Sequence, residues 1–397
     1  LTAVLVLLPI QRLLLPFGLA LADFVILPLA AYGVVWAWRQ ERPFAFPLLG
    51  PMGLILVASG VATAAGLAHA DSVIAIVQEV YIFAWFWGLA NVVGWLDETA
   101  VDKLLKLWGV VAALEATTCV MGMFQIGPAM FYTKPTYDPA AADAVVRALG
   151  LHMNANAAAV YLSVSIFAVL ATTWPWWGRL LLAGWIYAGM LATASNGALL
   201  STAVALLILL LVNQTLRDRR VLLLVGGGAL AAGLLALLFF FWPTGFLPTS
   251  VAGEDGLLFY TVGRFSHSLD RRLDILAWAW HVYRDMPWGI GPNGFSTLLG
   301  SLHNDYLAFW FERGPLGLLG WLWLIGATRA TAVVHACRQS SAAMRWRVLT
   351  LGAGFLACMI NAFSHEVSHM RQVWVLMAFL FGLALAADRR RRHGAAL

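Results

Sequence analysis

Charge is scarce in this 397-residue chain: Asp, Glu, Lys and Arg together make 11%, against about 25% in a soluble globular domain. With 61% hydrophobic residues and a mean hydropathy of +0.79, that scarcity excludes an ordinary soluble enzyme and predicts a polytopic membrane protein. Cysteine is nearly as rare. Cys119, Cys337 and Cys358 lie in or beside apolar segments, so no disulfide framework is implied and redox chemistry is a poor fit. No repeat of about 20–50 residues is evident, and no Asp-rich motif suited to a divalent metal stands on the outer side. The first residues lack a basic n-region and a small-residue cleavage site, so the first apolar stretch reads as a retained span. At about 20 residues per span, twelve spans leave too little polar chain for an appended soluble domain. A single membrane domain over 1–397 is expected.

The apolar runs predict spans at 1–20, 22–38, 47–67, 73–94, 104–126, 154–173, 179–193, 197–213, 221–242, 305–328, 346–364 and 371–387. Val221 to Trp242 is the clearest: it holds no charge and is bounded by Arg217, Arg219, Arg220 and by Pro243. Lys and Arg collect in alternate loops. With the N-terminus inside, Arg39, Arg42, Lys103, Lys106, Arg179, Arg217, Arg219, Arg220, Arg329, Arg338, Arg345, Arg347 and Arg389 to Arg392 face the cytoplasm. Lys134, Arg147, Arg264, Arg271, Arg272, Arg284, Arg313 and Arg371 face outward, a bias of about two to one that places both termini in the cytoplasm. Arg389 to Arg392 reads as a topology signal touching anionic head groups, not as a nucleic-acid patch. Most of the 19 tryptophans suit aromatic belts at the two interfaces.

Two outer loops are long: 127–153 and, between the ninth and tenth spans, 243–304. Loops beyond about 12–15 residues are usually functional or disordered, and these are not of low complexity. From Arg272 to Arg284, Leu273, Leu276, Trp280 and Tyr283 recur at helical spacing. That stretch ends before Pro287 and the turn Gly289-Ile290-Gly291-Pro292-Asn293-Gly294. A short amphipathic helix on the outer surface, or over a cavity, is expected.

The chemistry-bearing residues gather on that face. Arg147, Arg264, Arg271 and Arg272 suit a polyanionic substrate, because a guanidinium binds phosphate bidentately and stays charged; the alternative is that Arg271 and Arg272 pair with Asp270 and Asp274. His303 could take a proton from a sugar hydroxyl or merely cap a helix. Asn154, Asn156 and Asn304 lie at helix ends, where capping competes with hydrogen bonding to glycan or phosphate. Glu312, an intramembrane carboxylate beside Arg313, should face the bundle interior and orient the site. Gln78, Glu79 and Glu115 lie deeper, as a proton path or as interhelical hydrogen bonds. His365-Glu366-Val367-Ser368-His369 fits the H-E-x-x-H zinc pattern, yet Met370 to Ala387 offers no third ligand. The segment reads better as a polar rim of the outward cavity, with His365 and Glu366 on it.

The stretch His303-Asn304-Asp305-Tyr306-Leu307, followed by Glu312-Arg313-Gly314-Pro315-Leu316-Gly317 and Gly320, resembles the His-Asn-x-x-Leu and Glu-x-Gly-x-x-Gly signature of O-antigen ligases and related bacterial polysaccharide polymerases. Arg272 to Trp280, then Pro287 and Gly289 to Phe295, is similar to the family's Arg-bearing loop helix and glycine turn, with the proline one residue closer. Arg147-Ala-Leu-Gly150 to Asn154-Ala-Asn156 resembles its Arg-x-x-Gly and Asn-x-Asn segment. The motifs keep the family's order over residues 140–325. One departs: Ser195-Asn196-Gly197 stands where a Ser-Arg-Gly turn is expected, so either Arg264 or Arg271 supplies the missing charge or the substrate is held somewhat differently.

The resemblance implies an all-α, GT-C-like fold of about twelve transmembrane helices in a bacterial inner membrane, its site facing the periplasm. It implies a glycosyltransferase that moves a glycan from undecaprenyl diphosphate to a hydroxyl of lipid A–core oligosaccharide, with no cofactor and no nucleic-acid partner. His303 would be the base, with Arg147, Arg272 and Arg264 at the diphosphate. Arg271, Asn154, Asn156, Asn304, Asn293, Glu312 and His365 would bind substrate. A polymerase using the same donor, an intramembrane zinc protease and a transporter are the alternatives.

Overall fold

In an apolar medium every backbone group must be bonded within its own segment, so the long runs of Leu, Ala, Val and Phe resolve into helices. The computed structural model describes residues 1–11, 20–41, 43–66, 69–128, 131–132, 147–212, 275–295 and 302–394. They form α1 (Thr2–Leu7), α2 (Asp23–Arg39), α3 (Leu49–Ala65), α4 (His69–Trp95), α5 (Glu98–Met123), α6 (Ala155–Leu170), α7 (Trp176–Ala192) and α8 (Asn196–Val212). After these come a short helix at 275–285, then α9 (Asp305–Cys337), α10 (Ala342–Asn361) and α11 (Arg371–Gly394). Among the described residues there is no strand, only an isolated bridge between Tyr132 and Ala148.

The protein is all-helical, and α4, α5, α9, α10 and α11 are each long and apolar enough to cross a membrane. The shorter α3, α6 and α8 are also apolar. The expected span 221–242 lies outside the described residues, as do positions 12–19 of the first expected span. What is described of that first span is not one run, because α1 stops at Leu7 and a turn leads through Leu8 and Pro9. At the other extreme α9 runs on past the expected limit of 328 to Cys337. Arg329 lies exposed on its surface, so that charge does not end it.

The bundle is built around α6. From Ala157 to Val169 every α6 residue is buried, and its small side chains let α5, α7, α8, α10 and α11 approach closely. Gly354 of α10 lies against Phe167, where a methyl group would come to 2.9 Å. A second layer forms where α11 lies along α4 and α9 along α3. Polar N-caps start the helices where the chain turns: Asp97, Asn154, Asn304 and Ser341 each accept a backbone N–H of the first turn.

One end of the bundle is pinned by Asp102, which accepts from Arg347 at 2.7 Å, from the Thr173 amide at 2.8 Å and hydroxyl at 2.6 Å, and from Lys106 at 2.8 Å. Arg347 also donates to the Ala171 carbonyl at 3.0 Å, so α5, α10 and the α6–α7 turn meet there. Replacing Arg347 with Met leaves a buried carboxylate short of its main partner, at a cost of about 3–5 kcal/mol. Thermal unfolding in detergent should show that loss, and Asp102→Asn added to Arg347→Met should recover much of it. An additive double variant would mean that the pair is not coupled.

Candidate functional site

At the opposite end, the chain enters α9 through three residues held by the turn between α10 and α11. Asp305, 1% exposed, accepts the Val367 amide at 2.8 Å, the Ser368 amide at 3.0 Å and the Ser368 hydroxyl at 2.8 Å. Asn304 caps α9 by accepting the Leu307 amide at 3.1 Å, and its own amide donates to the Phe363 carbonyl. His303 takes a left-handed conformation, φ +51°, and its backbone N–H donates to Glu366 Oε1 at 3.2 Å. That geometry turns the exposed His303 ring against His365, with ring centroids 5.6 Å apart and planes 16° from parallel.

Residues 362–370 are turns, not helix. The one-face helical pair that an H-E-x-x-H zinc site requires therefore does not form: His365 stacks on His303, while His369 lines the cavity described below. Among the described residues no three His, Cys, Asp or Glu side chains converge as a metal site.

Two turns along, α9 breaks. Pro315 has no N–H to offer the Phe311 carbonyl, and Gly314 leaves the helix at φ +67°. The turn after the 275–285 helix fills the gap. Ile290 N–H donates to the Phe311 carbonyl at 3.2 Å and Gly291 N–H to the Glu312 carbonyl at 3.0 Å. The Glu312 carboxylate in return accepts the amides of Asn293 at 3.0 Å and Phe295 at 3.3 Å. The glycine turn and the Glu-Arg-Gly-Pro segment are thus two halves of one backbone junction. Gly289, φ +96°, lies so close that a Cβ there would stand 2.4 Å from the Glu312 carbonyl oxygen.

The helix at 275–285 is as expected, but its buried stripe centres on Ala279, 0% exposed. Trp280 is half-exposed and meets Trp310 edge-on.

Arg313 continues the junction inward. It donates to Glu312 at 3.0 Å and twice to Glu79, through Nε at 2.9 Å and Nη2 at 2.5 Å. Glu79 also accepts the Ser59 hydroxyl at 2.8 Å, so of the two readings for Glu79 the hydrogen-bonded one is what is observed. These groups border a cavity of about 400 Å³ between α3, α4, α9 and α11, with Asp305, Glu366, His369 and Arg371 on its other side. Asn293 borders it, whereas no residue of the 275–285 helix does. Arg371 is held by Asp23 through two bonds, 2.7 Å and 2.5 Å. Loss of bulk water around His369, which opens on the cavity, holds its imidazole below the usual range against the pull of Glu366, with Arg371 and Arg313 adding to the effect.

A second group lies across the α7–α8 turn. Arg147 donates to the Thr193 carbonyl at 3.0 Å and to Asn156 Oδ1 at 2.7 Å. Asn154 caps α6, accepting the Ala157 amide at 2.7 Å; Asn156 positions the guanidinium instead. The loop between them is fixed by buried Glu115, which accepts from the Leu151 amide at 3.1 Å and pairs with His152 at 2.8 Å. Gly197, at the start of α8, packs against Ser364 and Asn361, and this contact joins the Arg147 group to the His365 turn. Exposed Asn196, standing where an arginine was expected, borders the same contact. Arg264, Arg271 and Arg272 lie outside the described residues.

Sequence reasoning passed over Asp23 and Arg371 as site residues, and it named His369 only in the zinc pattern and Asp305 only within the His-Asn motif. Asp23 and Arg371 could have been flagged as ionisable groups at the ends of apolar runs, but their pairing spans 348 positions.

A family model described as O-antigen ligase matches residues 180–322. The match takes in all but the first turn of α7, then α8, the 275–285 helix, the glycine turn, His303 and the break in α9. No curated protein matches the chain.

The junction predicts an asymmetry between two neighbouring glycines. Both have a positive φ, +96° and +99°, so that strain is common to the two; Gly289→Ala in addition meets the Glu312 backbone and should destabilise by more than about 2 kcal/mol. Gly291→Ala meets first the movable Ser72 hydroxyl and should cost less. Unfolding temperatures of the two variants check the ordering, and equal losses would refute the docked-turn account.

Proposed function

From the O-antigen ligase-like character that residues 180–322 give this chain, we propose that it is a membrane glycosyltransferase joining a glycan from undecaprenyl diphosphate to a hydroxyl of lipid A–core oligosaccharide. In this reading the chain is a single membrane domain of about twelve spans in the bacterial inner membrane. Both termini are cytoplasmic. The loops 127–153 and 243–304 and the His303 face are periplasmic.

The arrangement of His303 supports the reading best. Its ring stands exposed beside His365 while its backbone is tied to Glu366, so the imidazole is both aimed and reachable. His303 takes the proton of the acceptor hydroxyl as that oxygen attacks the anomeric carbon. The carbon–phosphate-oxygen bond breaks, undecaprenyl diphosphate leaves, and the carbon inverts. Charge developing on the leaving diphosphate needs fixed cations. Arg147, already oriented by Thr193 and Asn156, is one; Arg272, with Arg264 or Arg271, supplies the rest. Asn154, Asn304, Asn293, Glu312 and His365 shape the surroundings in which the substrates bind.

Reconstitution with lipid-linked glycan and rough lipopolysaccharide tests this. The wild type should give a ligated product without chain extension; extension on the lipid-linked glycan would make it a polymerase. His303→Ala should slow ligation about 10²–10⁴-fold and Arg147→Gln about 10²–10³-fold. Normal ligation by His303→Ala in a folded protein would rule out the base assignment.

A further inference from the structure

We propose that the cavity between α3, α4, α9 and α11 seats a neutral pyranose of the acceptor oligosaccharide, the sugar whose hydroxyl is brought to His303. This rests on the transfer proposed above and adds to it the place of the acceptor. At about 400 Å³ the cavity falls within the range of small-molecule sites, roughly 300–1,000 Å³. It reaches the base, because Glu366 both lines it and holds the His303 amide.

Its wall mixes aromatic rings, Phe309, Trp321 and Trp374, with carboxylates and an imidazole. That mixture matches a sugar ring, which offers C–H faces to the aromatics and hydroxyl donors to the carboxylates. The Trp321 indole N–H has no acceptor among the described residues, although Trp321 is 2% exposed and borders the cavity. A buried donor left unpaired costs about 1–3 kcal/mol, and a sugar hydroxyl would relieve it.

Charge separates acceptor from donor. Both guanidiniums on the wall are engaged, Arg313 by Glu79 and Glu312 and Arg371 by Asp23. Glu79, Asp305, Glu312 and Glu366 outnumber them. With both guanidiniums committed to carboxylates, such a lining suits an uncharged polyhydroxyl ring better than a diphosphate.

The test uses wild-type protein in lipid nanodiscs, with delipidated core oligosaccharide from rough lipopolysaccharide in one calorimetric titration and lipid-linked glycan in another. Trp321→Phe keeps the ring and removes the donor; Ala75→Phe fills the cavity; His369→Ala alters its rim. Core oligosaccharide should bind the wild type, about 3- to 10-fold more weakly to Trp321→Phe, more weakly to His369→Ala, and undetectably to Ala75→Phe. Affinity for the lipid-linked glycan should not change. Should Ala75→Phe fail to fold, the other two variants decide.

No oligosaccharide binding to the wild type, equal binding to the folded variants, or a parallel loss of donor affinity overturns the proposal. The two readings fail separately. Oligosaccharide bound in the cavity without any ligated product sinks the transfer and keeps the site. Ligation by these variants with an unchanged acceptor KM sinks the site and keeps the transfer.

Discussion

The break in α9 at Gly314–Pro315 is the constraint from which this end of the molecule is organised. A helix interrupted inside an apolar bundle leaves carbonyls that water cannot reach, and irregular backbone at that depth persists only where other protein groups satisfy it. Here the amides of Ile290 and Gly291 do so. Accepting them requires glycine at 289 and 314, because the two backbones nearly touch. The turn's own amides then need an acceptor, which is Glu312; Glu312 needs a cation, which is Arg313; and Arg313 draws in Glu79 and Ser59. One backbone defect thus fixes parts of α3, α4, α9 and the glycine turn, and the cavity is what remains between them.

Local signals were legible because the bilayer leaves so few solutions. Apolar runs gave helices whose ends fall within about four residues of the observed ones for α2, α3, α4, α6, α7, α8 and α10, and missed by more for α1, α5, α9 and α11; Asn154 and Asn304 were recognisable as caps because capping is a matter of three residues. The glycine turn and the Glu-Arg-Gly-Pro segment were each visible as motifs. That they dock was not, since a hydrogen bond between Gly291 and Glu312 leaves no periodicity. The same holds for Arg313 with Glu79 and Arg371 with Asp23, partners brought together only by helix packing. Of the expected stripe on the 275–285 helix, Leu276 and Tyr283 pack inward, whereas Trp280 counts as apolar in a pattern yet its ring rests at the edge of the contact.

Opposite chemistries are kept on separate supports. The Arg147 group hangs from the α7–α8 turn through the Thr193 carbonyl and Asn156. The guanidiniums of the cavity wall are each matched by carboxylates. His303 lies on the turn network whose anchor is Asp305, and Gly197 against Ser364 and Asn361 couples the two supports sterically, without a charged contact.

The pairing of Asp23 with Arg371 bears on how such a chain is assembled. Asp23 is 1% exposed and heads α2, whereas Arg371 heads α11, 348 positions later in the chain. Until α11 is made, this carboxylate lacks its guanidinium partner and has the Ala20 amide, and the face of α4 that receives α11 is open. Insertion of α11 closes that groove and neutralises the charge together. A nascent chain halted before α11 would therefore carry a standing mark of incompleteness, an acid without its cation, of the kind by which quality-control proteases can tell unfinished membrane proteins from finished ones.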